Sequence, residues 1–301
     1  MKNSFQATVC SLLIITCTTF AQTAPPSTDI WLAPLNVSGT KLSVGTPVNI
    51  TNRAGYDNQP SFLHSGTGIL YTVMQSDPPG PQAPTQTEIF LYDLRTKKTS
   101  RMTRTAESEY SATVIPGGKY FSVVRVEPDS TQRLWRFRMD GTQPTVVLPT
   151  IKPVGYHAWV DSNTVALFVL GNPPTLQLAT VSTGLADIII GNIGRSLHKV
   201  PRKRAVSFVQ KMTNEEWWIK QLDVSTRSVT SIVRTLPRSE DYAWTPDGII
   251  LMGQGSKLFS FKPGVSKDWT EVADFSSHKI NGITRIAVSP QGNWIAFVAT
   301  E

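Results

Sequence analysis

Hydrophobic and polar positions along this chain fall into one two-part pattern that recurs six times. In the first part, a Pro-, Asp- or Gly-containing turn is followed by a short strand that is apolar at nearly every position. One copy reads Trp244-Thr-Pro-Asp-Gly-Ile-Ile-Leu-Met252 and another Val288-Ser-Pro-Gln-Gly-Asn-Trp-Ile-Ala-Phe-Val298. Runs that are apolar on both faces predict strands buried on both sides. In the second part, an amphipathic strand centred on an aromatic or long residue leads into a further turn, as in Glu88-Ile-Phe-Leu-Tyr-Asp-Leu-Arg95 and Arg133-Leu-Trp-Arg-Phe-Arg-Met-Asp-Gly141. The turns of the first part fall at His64, Pro116, Asp161, Pro201, Pro246 and Pro290; the centres of the second part fall at Trp31, Phe90, Trp135, Gln177, Trp218 and Phe259. Self-similarity with a period of roughly 40–50 residues, made of strands throughout, predicts a propeller.

The order of the halves predicts how the ring closes. The chain starts with a second-part strand around Trp31 and ends with a first-part strand, residues 294–298, that has no partner after it. The two ends are therefore expected to complete one blade together, which removes exposed sheet edges. The fold class is all-β: a six-bladed β-propeller with four antiparallel strands per blade, the last blade closed by the N-terminal strands. Two local departures stand out. The fourth blade has Pro201-Arg202-Lys203-Arg204 where a Gly turn is expected. The first blade carries a Pro-rich insertion, residues 75–86, expected to form a stiff surface loop. This loop and the shorter loops 127–131 and 172–174 are expected on the rim where the innermost strands begin, which is the expected binding rim.

Composition adds an address. Lys2, an apolar stretch over residues 5–19 and the small residues of Thr19-Phe20-Ala21 read as a secretory signal, residues 1–21, cut after Ala21. The apolar stretch, at about 15 residues, falls short of the roughly 20 that a membrane span needs. The expected layout is then a short linker, 22–28, and a propeller domain, 29–301, periplasmic or secreted. Both cysteines, Cys10 and Cys17, lie inside the signal, so the mature chain would have no disulfides, thiolate metal sites or cysteine nucleophiles. Cys17, preceded by Ile14-Ile15-Thr16, is an alternative lipidation site. The net charge of +7 comes from 29 Lys and Arg against 22 Asp and Glu. It favours anionic partners, but the export signal argues against nucleic acid, and solubility alone also accounts for it.

The turn pattern, the strand after it and the Leu-Trp-x-x-x-x-Asp-Gly outer strand resemble the WD-like repeats of TolB-type β-propellers, over nearly the whole mature chain. The resemblance implies a six-bladed fold and a role in holding partners in the cell envelope. TolB itself has an N-terminal α/β domain for which this chain leaves only a few residues. There is also no Gly-x-Ser-x-Gly elbow of the kind that propeller-bearing peptidases carry on a hydrolase domain.

No phosphate loop, His-Glu-x-x-His or Cys/His cluster is present. Candidate site residues come from aligning the innermost strands on their turns. This puts Asn58 and Gln59, Glu109 and Tyr110, Tyr156 and His157, Arg195 and Ser196, Glu240 and Asp241, and Thr284 and Arg285 around the channel. A concave site with converging polar groups is the expected ligand site. Within it, Glu109, His157 and Asp241 have the chemistry to hold a divalent metal, as in lactonase-like or lyase-like propellers; otherwise the groups pair with one another around a water-filled channel. No cofactor is called for. Phe62, Trp159 and Trp244 are expected in the core, His64 in a solvated turn, and His198 facing solvent beside the basic run Lys199, Arg202, Lys203, Arg204.

Three functions follow as alternatives. The first is a non-catalytic binding or scaffolding protein, expected to act as a monomer, that holds a peptide, glycan or protein partner on the loop-rich rim. The second is a metal-dependent hydrolase or lyase on a carbohydrate-like substrate. The third is a surface protein that interacts through the 75–86 loop.

Overall fold

The computed structural model describes residues 26–39, 41–76 and 85–300. The expected signal, residues 1–21, both cysteines and the middle of the Pro-rich insertion lie outside the described residues.

Three strands open the chain: β1 (Thr28–Ser38), β2 (Lys41–Val44) and β3 (Val48–Asn49). Blade one follows with β4 (Asp57–Phe62), β5 (Gly68–Ser76), β6 (Thr85–Asp93) and β7 (Thr99–Arg101). Blade two is β8 (Ser108–Val114), β9 (Tyr120–Val126), β10 (Gln132–Arg138) and β11 (Thr145–Val146). Blade three is β12 (Val154–Trp159), β13 (Thr164–Val169), β14 (Thr175–Thr180) and β15 (Leu185–Gly191). Blade four is β16 (Ile193–Lys199), β17 (Ala205–Lys211), β18 (Trp217–Asp223) and β19 (Val229–Arg234). Blade five is β20 (Tyr242–Trp244), β21 (Ile250–Gln254), β22 (Lys257–Phe261) and β23 (Thr270–Asp274). The last strands, β24 (Ile283–Val288) and β25 (Trp294–Thr300), form blade six with β1 and β2, in the order β2-β1-β25-β24. The chain is thus a six-bladed propeller closed by its own two ends: β1 runs antiparallel to β25, with Thr28 opposite Thr300, Trp31 opposite Phe297 and Pro34 opposite Trp294. One addition to the expected pattern is β3, which pairs with β1 through Asn49 and Val48.

The second strand of each blade carries the core, as its unbroken apolar sequence requires. Every residue of β13 is buried. Apolar clusters fill the spaces between neighbouring blades; one joins Leu70 and Ile89 of blade one to Val123 and Phe137 of blade two. Phe121, Phe137, Phe208 and Phe297 are fully buried, and each such side chain stabilises the fold by about 1.5–3 kcal/mol relative to exposure. Five of the six turns between first and second strands use a left-handed residue. Gly66, Gly118, Gly248 and Gly292 supply it in four blades. In blade four the turn Val200–Lys203, closed by the Lys203 N–H to the Val200 carbonyl, puts Arg202 at φ 59° instead. The Pro-rich insertion departs from its expectation at both ends: Gln75 and Ser76 pair with Gln86 and Thr85, so β5 and β6 run on into it.

Candidate functional site

The innermost strands are not regular, and this decides which side chains meet at the axis. The pairing of β4 with β5 slips between Asn58 and Ser61, that of β8 with β9 between Tyr110 and Thr113, and that of β24 with β25 between Thr284 and Ala287. At each slip one residue adopts a left-handed backbone: Gln59 (φ 57°), Ser111 (φ 55°) and Arg285 (φ 50°). Such bulges re-aim a side chain and reverse the in-out alternation beyond them. Left-handed non-glycine residues cost energy, about 1–3 kcal/mol each, and persist where the surroundings hold them.

All three bulge residues lie five positions before their turn, as do Tyr156, Ser196 and Asp241 in the other blades. These six residues line one axial cavity of about 620 Å³. The expected ring contains five of them. It misses Ser111, because in blade two it names residues one or two positions too early. Counting back five residues from Pro116 would have found it.

The ring is knit by contacts across the axis. Gln59 Oε1 accepts from the Thr72 hydroxyl (2.8 Å) and from the backbone N–H of Ser111 in the next blade (2.9 Å). Arg285 donates to the Tyr156 hydroxyl (2.7 Å), three blades on from it, and its guanidinium lies 4.8 Å from the centre of the Tyr156 ring. Asp241 accepts from Arg195 Nη2 (2.7 Å), with Arg285 Nη1 at 3.9 Å. Glu240 is drawn to the side of the ring by the Arg195 backbone N–H (3.1 Å) and Lys211 (3.2 Å). Burial and the neighbouring tyrosines raise the Tyr56 pKa, with Arg285 and Arg195 opposing.

Four expected ring residues sit elsewhere, among them Thr284, whose hydroxyl donates to the Val298 carbonyl of β25 at 3.5 Å. Asn58 turns to the junction of blades six and one, where its carboxamide meets Thr28 at 3.4 Å. Tyr110 packs on the apolar cluster between blades two and three. Glu109 is fully buried between blades one and two, where it accepts from the Thr105 hydroxyl (2.6 Å) and Arg125 Nε (3.0 Å). Burial pushes its carboxyl up to about 7, against the pull of Thr105 and Arg125. Glu109 therefore cannot join His157 and Asp241 at the axis, and the described residues contain no group of three His, Cys, Asp or Glu placed to hold a metal. The bulge at Ser111 is the physical reason, since it reverses the facing of the residues around it.

His157 lines the cavity but is tied into its wall. Its Nε2 meets the Ser122 hydroxyl at 2.7 Å, and the Trp159 indole N–H donates to the same oxygen at 2.8 Å. Burial lowers the His157 pKa to about 3, so the ring is neutral. The arrangement recurs two blades on, where Ser207 accepts from the Tyr242 hydroxyl (2.8 Å) and the Trp244 indole (2.8 Å). In each case a serine on the second strand of one blade pins two aromatic groups on the first strand of the next. Trp159, Phe62 and Trp244 are thus both core and cavity wall. His198 corrects its expectation: it is half-buried, packed edge-to-face on Tyr242 with ring centres 4.6 Å apart, and burial lowers its pKa to about 4.

The cavity lies toward the rim opposite the expected binding rim. Its lining runs from the polar ring out to the turns at His64, Pro116, Pro201, Pro246 and Pro290, and includes no residue of loops 127–131 or 172–174. The ring is its floor, and its mouth lies on the turn rim. The basic run stands at that mouth: Lys199 and Arg202 line it, Arg202 pairs with Asp247 of blade five (3.0 Å) and Arg204 with Asp161 of blade three (3.1 Å).

No protein-family profile matches the sequence, and no curated protein matches it. Solved structures do match in fold. A TolB-type protein from Agrobacterium tumefaciens superposes with a TM-score of 0.70 at 12% identity, covering 92% of this chain and 99% of that one. TolB from Acinetobacter baumannii gives 0.56 at 11% identity over 91% of this chain and 64% of that one. A puromycin-hydrolyzing peptidase from Mycobacterium tuberculosis gives 0.55 at 9% identity, over 81% of this chain and 45% of that one. The chain has the six-bladed fold of the TolB-like propellers, and at these identities the likeness is one of fold alone.

Proposed function

We propose that this chain is a non-catalytic binding or scaffolding propeller of the cell envelope, which holds a peptide, glycan or protein partner in its axial cavity. The observation that carries the reading is the cavity itself: about 620 Å³, floored by six residues from six different blades and open on the turn rim. A volume in the range of roughly 300–1,000 Å³ with a few convergent polar groups is the usual build of a ligand pocket. A propeller suits such a role because each innermost strand delivers a side chain to one point from a rigid sheet. The fold shared with TolB proteins supports the same reading. Export to the periplasm or beyond rests on residues 1–21 and their signal-like pattern. Among the described residues no helix is long and apolar enough to cross a membrane.

The test is site-specific photo-crosslinking in the native host. A crosslinker at His64, on the turn rim, should capture a partner, and one at Asp129, on the loop rim, should not. Capture at Asp129 alone would move the site to the loop rim and contradict the proposal. Cleavage of the N-terminal segment after Ala21 is checked by mass measurement of the mature chain.

A further inference from the structure

We infer that the axial cavity takes an acidic peptide segment, with a side-chain carboxylate seated at the floor between Arg195 and Arg285. This rests on the reading of the cavity as a binding site and names its ligand. The first observation is the charge of the lining: Arg195, Lys199 and Arg285 face a single lining carboxylate, Asp241, while Arg202 at the mouth is paired with Asp247. The three histidines in the lining, His64, His157 and His198, all have lowered pKa values and carry no charge at neutral pH. Like charges lining a concave, low-dielectric site focus their field on its mouth and draw in the opposite charge.

The second observation is the floor network. Its cations are Arg195, Arg285 and Lys211; its anions are Glu240 and Asp241. It is one negative charge short of balance, and a ligand carboxylate supplies it. The donors are also available. A guanidinium has five N–H groups in a planar fork suited to carboxylate. Arg285 makes one hydrogen bond, to Tyr156, and its contact with Asp241 at 3.9 Å is an ion pair only. The Arg195 side chain makes one, to Asp241, and is about a third exposed. Arg285 is held in this place by the left-handed bulge at φ 50°, so a strained backbone conformation is maintained where it directs a cation at the axis.

The walls decide between a peptide and a sugar as the source of the carboxylate. Sugar rings need open aromatic faces to lie on. Here Phe62 is 7%, Trp159 5% and Tyr242 1% exposed, and the polar edges of Trp159, Trp244 and Tyr242 are spent on Ser122 and Ser207. Of the lining aromatics only Trp244 and Tyr156 keep part of their surface open, and the Tyr156 ring is covered by the Arg285 guanidinium; with charge at mouth and floor, the walls suit an extended acidic peptide entering end-on.

The experiment is calorimetric titration of the mature chain with the capped tetrapeptide acetyl-Glu-Glu-Glu-Glu-amide, beside its all-Gln and all-Lys counterparts and tri-galacturonate. The all-Glu peptide should bind and the others should not. Affinity should fall as salt rises from about 0.05 M to about 0.5 M. Arg285→Gln should weaken binding at least about tenfold, Arg285→Lys should restore part of it, and Arg227→Gln, on the outer edge of blade four, should leave it unchanged. If Arg285→Gln does not fold, Lys199→Gln at the mouth reads the same effect at several-fold. Equal binding of the all-Gln peptide would overturn the inference while leaving the cavity a binding site. Binding of tri-galacturonate in place of the peptide would do the same. Absence of binding by the all-Glu peptide would also overturn it. All-Glu binding that survives Ser61→Trp, which fills the cavity from β4, would place the peptide outside the channel and contradict both readings.

Discussion

Replacing Ser207 by Ala probes the inter-blade pin that shapes the cavity wall. The Ser207 hydroxyl oxygen accepts from the Tyr242 hydroxyl and the Trp244 indole, each at 2.8 Å. Tyr242 is 1% exposed, so its hydroxyl finds no water when the acceptor goes, and an orphaned buried donor costs about 1–3 kcal/mol. Trp244 is half-buried and can turn toward the cavity, so its loss is that of an ordinary hydrogen bond, about 0.5–1.5 kcal/mol. The expected destabilisation is therefore about 2–3 kcal/mol, or a fall in Tm of roughly 4–6 °C for a domain of this size. Urea unfolding followed by tryptophan fluorescence measures it, with the m-value checked for constancy. The decisive control is a double-mutant cycle with Tyr242→Phe. Removing Tyr242's hydroxyl as well takes away the buried orphan, while the Trp244 loss is common to both backgrounds, so the double mutant should be more stable than the sum of the singles by about 1 kcal/mol or more. Simple additivity, or a Ser207→Ala loss below about 0.5 kcal/mol, would refute the pin. Ser122→Ala should behave alike through His157 and Trp159.

Four further outcomes are expected. Because the folded pKa of His157 is lowered to about 3, its stabilising effect is intact above the unfolded value near 6.5 and is lost as pH falls from there toward 3, at up to about 1.4 kcal/mol per pH unit; urea midpoints at pH 6.5 and 4.5 should converge in His157→Gln. Glu109, with its folded pKa raised to about 7, works in the opposite sense: it favours the folded state below its unfolded value and this is lost as pH rises from about 4.5 to 7, so Glu109→Gln should gain stability relative to wild type between pH 5 and pH 8. Arg202→Gly removes a left-handed arginine (φ 59°) at the cost of an exposed ion pair with Asp247, and should leave thermal stability unchanged or raise it by about 1 kcal/mol. Deleting residues 294–300 removes β25, whose Ile295, Phe297 and Val298 are fully buried and whose backbone pairs with β1; the ring should fail to close, read as loss of cooperative unfolding.

The fold was legible because its signals are local and repeated. Turns at His64, Pro116, Asp161, Pro201, Pro246 and Pro290 sit before doubly apolar strands, and the unpaired halves around Trp31 and Trp294 foretell the closure through β1 and β25. The site was legible only in part. A period-two reading assigns faces correctly until the register shifts, and five of the innermost strands contain such a shift, three of them with a left-handed residue at Gln59, Ser111 or Arg285. Each bulge depends on neighbours distant in sequence, as Ser111 depends on Gln59 Oε1. Blade two shows the consequence: Glu109, a chemically attractive ligand, turns into the gap between blades, and Ser111 takes its place at the axis. The position of the cavity mouth was hidden for the same reason, since Arg285 meets Tyr156 across 129 residues of sequence. What no pattern revealed was the pairing of Ser122 and Ser207 with aromatic residues of the following blades, which only the ring brings together.

The account stands or falls on whether the axial cavity is where partners bind. The most direct measurement is partner capture in the native host by wild type and by Ser61→Trp, each crosslinked from His64. Ser61 lines the cavity, is half-buried and makes no side-chain hydrogen bond, so an indole there fills the space without breaking a contact. The variant should be folded, melt within a few degrees of wild type and capture nothing. A folded Ser61→Trp protein that captures the same partner to the same extent would contradict it.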